Sequence, residues 1–377
     1  MRHDKTTLKT VAEQFDIPGA FVDAAPYGFG HINDTYKTQW RVDGRIGLYI
    51  LQRINHQIFK APRQLMDNIL RVTGHLQQKR ATRSGSETSR DTLTVIATRE
   101  GQPLYEDATG NFWRTYVFIT DAQTYDVCTG PDQAYQAANA FGRFQSALAD
   151  LPGGRLHETI PHFHHTPRRF ETLEAAIQKD VCNRAASARD DIEFCRAHQP
   201  LCNVIVRPLE NRIIPERINH NDAKINNVMI DNQTGRGICV IDLDTVMSGC
   251  VLYDFGDLVR TVTRHADEDE RDLGKVLLDL GVFECLVRGY LDSARSFLTR
   301  AETDLMVAAG KLITFTIGIR FLADYLMNDV YFKVHRPGHN LDRARVQFKM
   351  MASMEQQEDA MQAVVRKYAL GLTNAGS

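Results

Sequence analysis

Residues 219–244 read NHNDAKINNVMIDNQTGRGICVIDLD, and no other stretch limits the possible folds of this chain so strongly. Two short apolar runs, 227–230 and 237–241, flank DNQTGRG, a loop made of turn formers, and that pattern specifies a β-hairpin. Closing the hairpin brings its ends together. Asn226 and Asn227 then stand beside Asp242 and Asp244, with Asp222 on the loop just before them. Carboxylates packed so closely repel one another, so the cluster calls for a cation. A few hard oxygen ligands suit Mg²⁺ carrying a bound triphosphate, which points to phosphoryl transfer.

The spacing refines this reading. His220, Asp222 and Asn227 form an H-x-D-x-x-x-x-N arrangement, in which the Asp accepts a hydroxyl proton and the Asn holds metal. Lys224 stands where a cation would face the transferred phosphate, and His220 reads as an anchor for the loop. Asp242, at the end of the second strand, is the expected metal ligand. Asp244 is either a second metal contact or a turn cap. Residues 253–257, YDFGD, contain the Asp-Phe-Gly triplet that binds magnesium in protein kinases. Asp254 lies well past the hairpin, however, so its expected role is to hydrogen-bond the loop that carries Asp222.

Up to about residue 120 the punctuation is that of short strands. APYGFGHINDTYKTQWRV (25–42) offers a Gly-rich turn and then alternation, GRIGLYILQRI follows as a second extended run, and DTLTVIAT and WRTYVFIT resume strand character. Between them Leu65, Ile69, Val72 and Leu76 recur at helical spacing. Beyond residue 130 the pattern turns helical. The expected class is α+β and bilobal: a small five-stranded antiparallel β lobe over 1–120 that binds nucleotide, and a larger, mainly α lobe over 121–377 that carries the hairpin.

Composition excludes several classes. Forty-five Lys and Arg against 47 Asp and Glu leave a net charge of −2, so no broad positive field invites nucleic acid or an anionic membrane. The charged N-terminus lacks an apolar signal core, and no run reads as the roughly 18 apolar residues of a membrane span. The expected setting is cytoplasmic, with a small-molecule partner and no obligate protein partner. Seven scattered cysteines without a C-x-x-C pair fit reduced core thiols. His157, His162, His164 and His165 lack the spacing of a zinc site and read as loop residues.

The quoted motifs resemble the aminoglycoside phosphotransferase and choline kinase superfamily, which shares the protein-kinase fold and carries its metal Asp in an ID pair. Within it the resemblance is closer to N-acetylhexosamine 1-kinases, on YGFGHINDTY, YILQRIN, HFHHTPRRFE, NHNDAKINN, IDLDTVMSG, DFGDLVR, DERDL and RFLADYLMNDVYF. These stretches run from about residue 26 to 355. The resemblance implies ATP and Mg²⁺ as cofactors, with Asp222 as general base on the anomeric hydroxyl and Asn227 and Asp242 holding the metal. It also implies sugar contacts from His31, Arg320 and Tyr331, and a hinge near Ile119 that holds the adenine edge. Gly28 and Gly30 would let backbone N–H groups approach phosphate, or form a plain hairpin turn. The strand-3 cation is Arg53, or Gln52 in the alternative register, with Asp67 as a candidate acidic partner.

At the acceptor end the residues add their own signal. Leu312, Phe315, Ile319, Leu322 and Leu326 mark a buried helix face that leaves Arg320 off the stripe. Tyr331 would project within about 20° of Arg320 if that helix continued. The competing reading is an Arg320–Asp324 surface pair. Thr261 stands where related sugar kinases are expected to have an aromatic residue. Two other functions remain open: the same fold acting on choline, homoserine or an aminoglycoside, and a nucleotide-binding scaffold without turnover.

Overall fold

The computed structural model describes residues 3–28, 32–84 and 90–369. Gly30 and His31 lie outside the described residues. The chain opens with α1 (Lys5–Ala12), whose N-cap Asp4 accepts the Thr7 N–H at 2.8 Å. Strands β1 (Ala20–Pro26), β2 (Asp34–Val42) and β3 (Arg45–Ile54) follow, then α2 (Pro62–Ser84). Two-residue strands β4 (Val95–Ile96) and β5 (Tyr105–Glu106) precede β6 (Phe112–Val117), and all pair antiparallel in the order β1-β2-β3-β6-β4, with β5 also on β6. The sheet therefore has six strands among the described residues rather than the five expected. Its extra members are too short for alternation to reveal.

The two faces of this sheet do different jobs because side chains alternate along each strand. Tyr36, Trp40, Leu51 and Trp113 point to one face and form a core with Leu8, Val11 and Phe15, which closes the outer side. Gln52, Ile54, Arg114 and Tyr116 lie on the other face, where Ile54 and Tyr116 join the main core with Leu65 and Ile69 of α2. That inner face is the one turned toward the rest of the chain.

After β6 the chain crosses to β7 (Ala122–Gln123) and then to α3 (Pro131–Leu148), α4 (Thr166–Lys179), α5 (Arg189–Ala197) and α6 (Val206–Glu210). The β interruption comprises β8 (Arg217–Asn219), β9 (Val228–Asp231), β10 (Gly237–Val240) and β11 (Met247–Gly249). Strands β9 and β10 form the expected antiparallel hairpin, β7 adds to its open edge, and β8 pairs with β11. The remainder is helical: α7 (Val251–Val262), α8 (Leu280–Ala294), α9 (Arg300–Asp304), α10 (Met306–Leu326), α11 (His339–Gln356) and α12 (Glu358–Ala369).

Helix α10 corrects one expectation. At 21 residues and a mean hydropathy of 1.5 it is long and apolar enough to cross a membrane. It is instead 78% buried along that window, packed between α4, α7 and α11, with Leu312, Phe315, Ile319 and Leu322 fully enclosed. All seven cysteines are free thiols, five of them buried.

Candidate active site

Pairing of β8 with β11 sets Asn219 opposite Met247 and launches the loop that carries Asp222 beside the exit of β10. His220 is fully buried beneath this loop. Its Nδ1 accepts the Asp222 N–H at 3.3 Å and its Nε2 donates to the Ile241 carbonyl at 2.9 Å, so the ring ties the loop to the hairpin. Asn221 takes a left-handed φ of 67°, which Asn tolerates better than most residues. The backbone N–H groups of His220 and Asn221 both donate to the Asp254 carboxylate, at 2.7 and 2.6 Å. Gln145 Nε2 donates to the same group at 2.7 Å.

Asp254 thus props the loop from α7, and the Asp-Phe-Gly triplet is helical. Phe255 is fully buried in the core. A Cβ on Gly256 would sit 2.4 Å from the Ala309 carbonyl oxygen, so this glycine permits close packing of α7 on α10.

Asp222 is gripped from two sides. Lys224 Nζ lies 3.0 Å from its Oδ2, and Asn227 Nδ2 donates to the same oxygen at 3.1 Å and to the Asp222 carbonyl at 2.7 Å. Enclosure by protein opposes its ionisation, but the charge of Lys224 and the hydrogen bond from Asn227 more than offset this and keep the carboxyl below the usual range. An ionised carboxylate near a cleft is what a general base requires.

Asp242 follows β10 in a left-handed conformation, φ 60°, which turns its side chain into the cleft, where it is exposed. Surrounding protein, then the charges of Asp244 and Asp222, push its carboxyl up to about 6. Because cleft water reaches the group, repulsion from the two acids is the firmer cause. The Ile241 N–H donates to the Asn227 carbonyl at 2.9 Å, holding the two strand ends side by side. Among the described residues no three His, Cys, Asp or Glu side chains cluster as a metal site. The donor set on offer is smaller: one open carboxylate that its acidic neighbours leave short of positive charge, and one amide whose nitrogen is committed to Asp222. Hard, few and oxygen-bearing, these donors fit a Mg²⁺ that takes its remaining ligands from phosphate and water.

Asp244 is placed differently. It is 2% exposed, lies 2.5 Å from Arg114 Nη1 through Oδ1, and accepts Asn33 Nδ2 through Oδ2 at 2.6 Å. The Arg114 contact is ionic, because Oδ1 finds no well-aligned hydrogen bond. Sequence reasoning missed Arg114. Alternation in FWRTYV signals it, since Arg114 must face opposite to Trp113.

Arg53, read as the phosphate-binding cation, requires correction. It lies on the outer face of the sheet with Leu51, and pairs with Asp34 at 2.7 Å and Asn111 at 3.3 Å. Gln52 holds the inward register, where its Oε1 accepts Arg114 Nε and Nη2 at 2.9 and 2.6 Å. Asp67 is not the acidic partner either, since it meets His157 at 3.1 Å. From α2 it is Met66 that meets Arg114, its sulfur 4.0 Å from Nη1.

Gly28 takes φ 74°, with open space where a Cβ would be, so conformation rather than crowding selects glycine there. Ile119, between β6 and β7, is 9% exposed, and the carbonyls of Thr120 and Asp121 after it accept Arg90 at 3.2 and 3.3 Å.

At the acceptor end Arg320 and Tyr331 come together, although α10 stops at Leu326. Buried Asp324 accepts the N–H groups of Val330, Tyr331 and Phe332 at 3.0, 2.8 and 2.9 Å, with Asn340 Nδ2 at 2.9 Å. The loop folds back, and the Arg320 guanidinium sits 5.3 to 5.7 Å from the rings of Phe163, Tyr331 and Phe332. Asp324 is therefore not the surface partner of Arg320. Phe163 and His164 come from HFHHTPRRFE, where buried His164 donates Nε2 to the Asn221 carbonyl at 2.8 Å. Thr261 turns back on its own helix, donating to the Asp257 carbonyl at 2.8 Å.

A family model described as a phosphotransferase enzyme family matches residues 23–279. Among solved structures the chain is similar to a microcompartment-associated aminopropanol kinase at 16% identity and a TM-score of 0.56, over 95% of this chain and 98% of that one. It is similar to a choline kinase from Cryptosporidium parvum Iowa II at 13% identity and a TM-score of 0.59, over 98% and 100%. A spectinomycin phosphotransferase in complex with ADP and spectinomycin matches at 12% identity and a TM-score of 0.54, over 99% of each chain. At such identities the likeness is one of fold. The architecture is the bilobal, protein-kinase-like α+β fold.

Proposed function

The chain belongs to the phosphotransferase enzyme family, and we propose that it transfers the γ-phosphoryl group of ATP to the anomeric hydroxyl of an N-acetylhexosamine, N-acetylglucosamine or N-acetylgalactosamine. In this reading residues 1–120 hold the nucleotide, with backbone near Gly28 and Gly30 at the phosphates and the segment at Ile119 at the adenine. Residues 121–377 hold the acceptor and the acid–base groups.

Asp222 takes the proton from the acceptor hydroxyl, whose oxygen attacks the γ-phosphorus as the bond to the ADP oxygen breaks. Lys224 keeps Asp222 ionised and contributes positive charge beside the transferred group. Asn227 and Asp242 would hold Mg²⁺, which neutralises charge on the nucleotide phosphates when bound. His220 and Asp254 fix the loop so that Asp222 points into the cleft, a positioning effect of the kind that dominates phosphoryl transfer.

The acceptor rests chiefly on one observation: Arg320, ringed by Phe163, Tyr331 and Phe332, has no carboxylate within ion-pair distance among the described residues. The three rings alone would attract an ammonium, but the Arg320 charge that already faces them repels one, and its N–H donors suit a neutral, hydroxyl-rich sugar. His31 would be a further sugar contact. Sequence resemblance to N-acetylhexosamine 1-kinases supports the same acceptor, and a cytoplasmic setting follows from where such substrates and ATP are found. The second reading is an amino-alcohol acceptor, as in the names of two of the similar structures. Phosphorus-31 NMR with Mg²⁺, ATP and, separately, N-acetylglucosamine, N-acetylgalactosamine, galactose, choline and homoserine decides between them. An anomeric phosphate signal with a hexosamine supports the proposal, whereas product only with choline or homoserine sinks it.

A further inference from the structure

Three separate pieces of the sheet lobe converge on one carboxylate of the helical lobe. Asn33, in the turn before β2, donates to Asp244 Oδ2 at 2.6 Å; Arg114, on β6, reaches Oδ1 at 2.5 Å; and Gln52, on β3, holds Arg114 from behind through Nε and Nη2. Arg114 and Asp244 are 1% and 2% exposed. The Tyr116 ring, 5.3 Å from the guanidinium carbon, and the Met66 sulfur complete the enclosure. Two buried charges are tolerated only when each is the other's partner, so the pair fixes how the lobes meet.

The neighbouring acid has the opposite character. Asp242 is exposed in the cleft, while Asp244, two residues on, has both oxygens committed to the sheet lobe.

We propose that Arg114 and Asp244 form a latch that holds the sheet lobe against the Asp222 loop, making Arg114 a positioning residue and leaving Asp242 without Asp244 as a fellow metal ligand. The latch would keep a nucleotide gripped by the sheet in line with Asp222. It stands in place of the Arg53–Asp67 pair that the sequence suggests, with the cation on β6 and the acid on the hairpin exit. The metal part of this inference rests on reading the cleft as a Mg-nucleotide site.

The test compares Arg114→Met, Asp244→Asn, the double variant, Arg114→Lys and Asp242→Asn. Mn²⁺ binding in the presence of ADP is followed by electron paramagnetic resonance, and turnover is read as ADP formed from ATP, with the phosphoryl group passing to whichever acceptor is turned over or, without one, to water. The latch predicts that Asp244→Asn changes Mn²⁺ affinity by less than about twofold, while Asp242→Asn weakens it by about tenfold or more. It predicts that Arg114→Met and Asp244→Asn each slow turnover by about 100-fold, that the double variant is no slower than either, and that Arg114→Lys recovers part of the loss. The double variant removes both buried charges and so melts above either single one, which keeps the test available if a single variant folds poorly.

Loss of Mn²⁺ binding in Asp244→Asn equal to that in Asp242→Asn overturns the latch, as does a double variant whose loss is the product of the two. Unchanged Mn²⁺ binding in Asp242→Asn would instead overturn the metal reading of the cleft, with the latch still judged by the turnover comparison.

Discussion

Asp254 accepts the backbone N–H of Asn221 at 2.6 Å, and the same carboxylate takes the N–H of His220. A single fully buried side chain on α7 therefore sets the course of the loop leading into Asp222. The relation is directional, because it needs an acceptor facing two donors.

Replacing Asp254 with Asn puts an amide donor against one of those N–H groups. The expected cost is about 2 kcal/mol in stability, from a buried donor left unpaired. Turnover falls by more than the unfolded fraction explains, because Asp222 loses its aim. Thermal melts and single-turnover rates check this together; a variant with normal rates would mean the loop does not depend on Asp254.

Asp324 makes a similar arrangement at the acceptor end by holding Val330, Tyr331 and Phe332 through their N–H groups. Asp324→Asn frees the loop that brings Tyr331 over Arg320. The acceptor KM should rise by about tenfold or more while the ATP KM stays within about twofold. Steady-state kinetics with each substrate varied in turn separates the two, and equal rises in both would contradict this role.

Burial holds His164 well down, to about 3, below its ordinary value of 6.5. The unfolded chain therefore binds a proton that the folded one refuses. The resulting stability is fully present above pH 6.5 and is lost as pH falls toward 3. Between pH 7 and pH 5 this one group should remove about 2 kcal/mol. Melts of His164→Leu at the two pH values should show a smaller drop than the wild type, and an equal drop would show that His164 is not the source.

Gly256 lies against the Ala309 carbonyl, where an added Cβ would come to 2.4 Å. Gly256→Ala should force α7 from α10 at a cost of about 1–3 kcal/mol, in spite of the better helix propensity of Ala. Urea unfolding reads the sign directly, and a stabilised variant would contradict the close helix approach.

Much of this was legible before the structure because its signals are local. The hairpin was written in DNQTGRG between two apolar runs, and its closure put Asn227 and Asp242 at one mouth. The expectation that Asp254 hydrogen-bonds the loop carrying Asp222 followed from its distance past that mouth. What escaped were contacts made by strand register and by loops folding back. Arg53 and Gln52 are adjacent, so only the pairing of Gln52 with Arg114 decides which one faces inward. Asp324 looked like an i,i+4 partner for Arg320, because nothing in the sequence says that a loop six to eight residues later returns to claim it. The Arg114–Asp244 pair joins residues far apart in the chain, beyond the reach of any periodicity.

The most direct test of the account is Asp222→Asn, assayed for phosphoryl transfer to N-acetylglucosamine and for ATP binding by calorimetry. The substitution keeps the shape of the side chain and removes its basicity. The account predicts a loss of about 10²–10⁴-fold in turnover, with ATP affinity within a few-fold of the wild type. Undiminished turnover in that variant would contradict the assignment of Asp222 as the base.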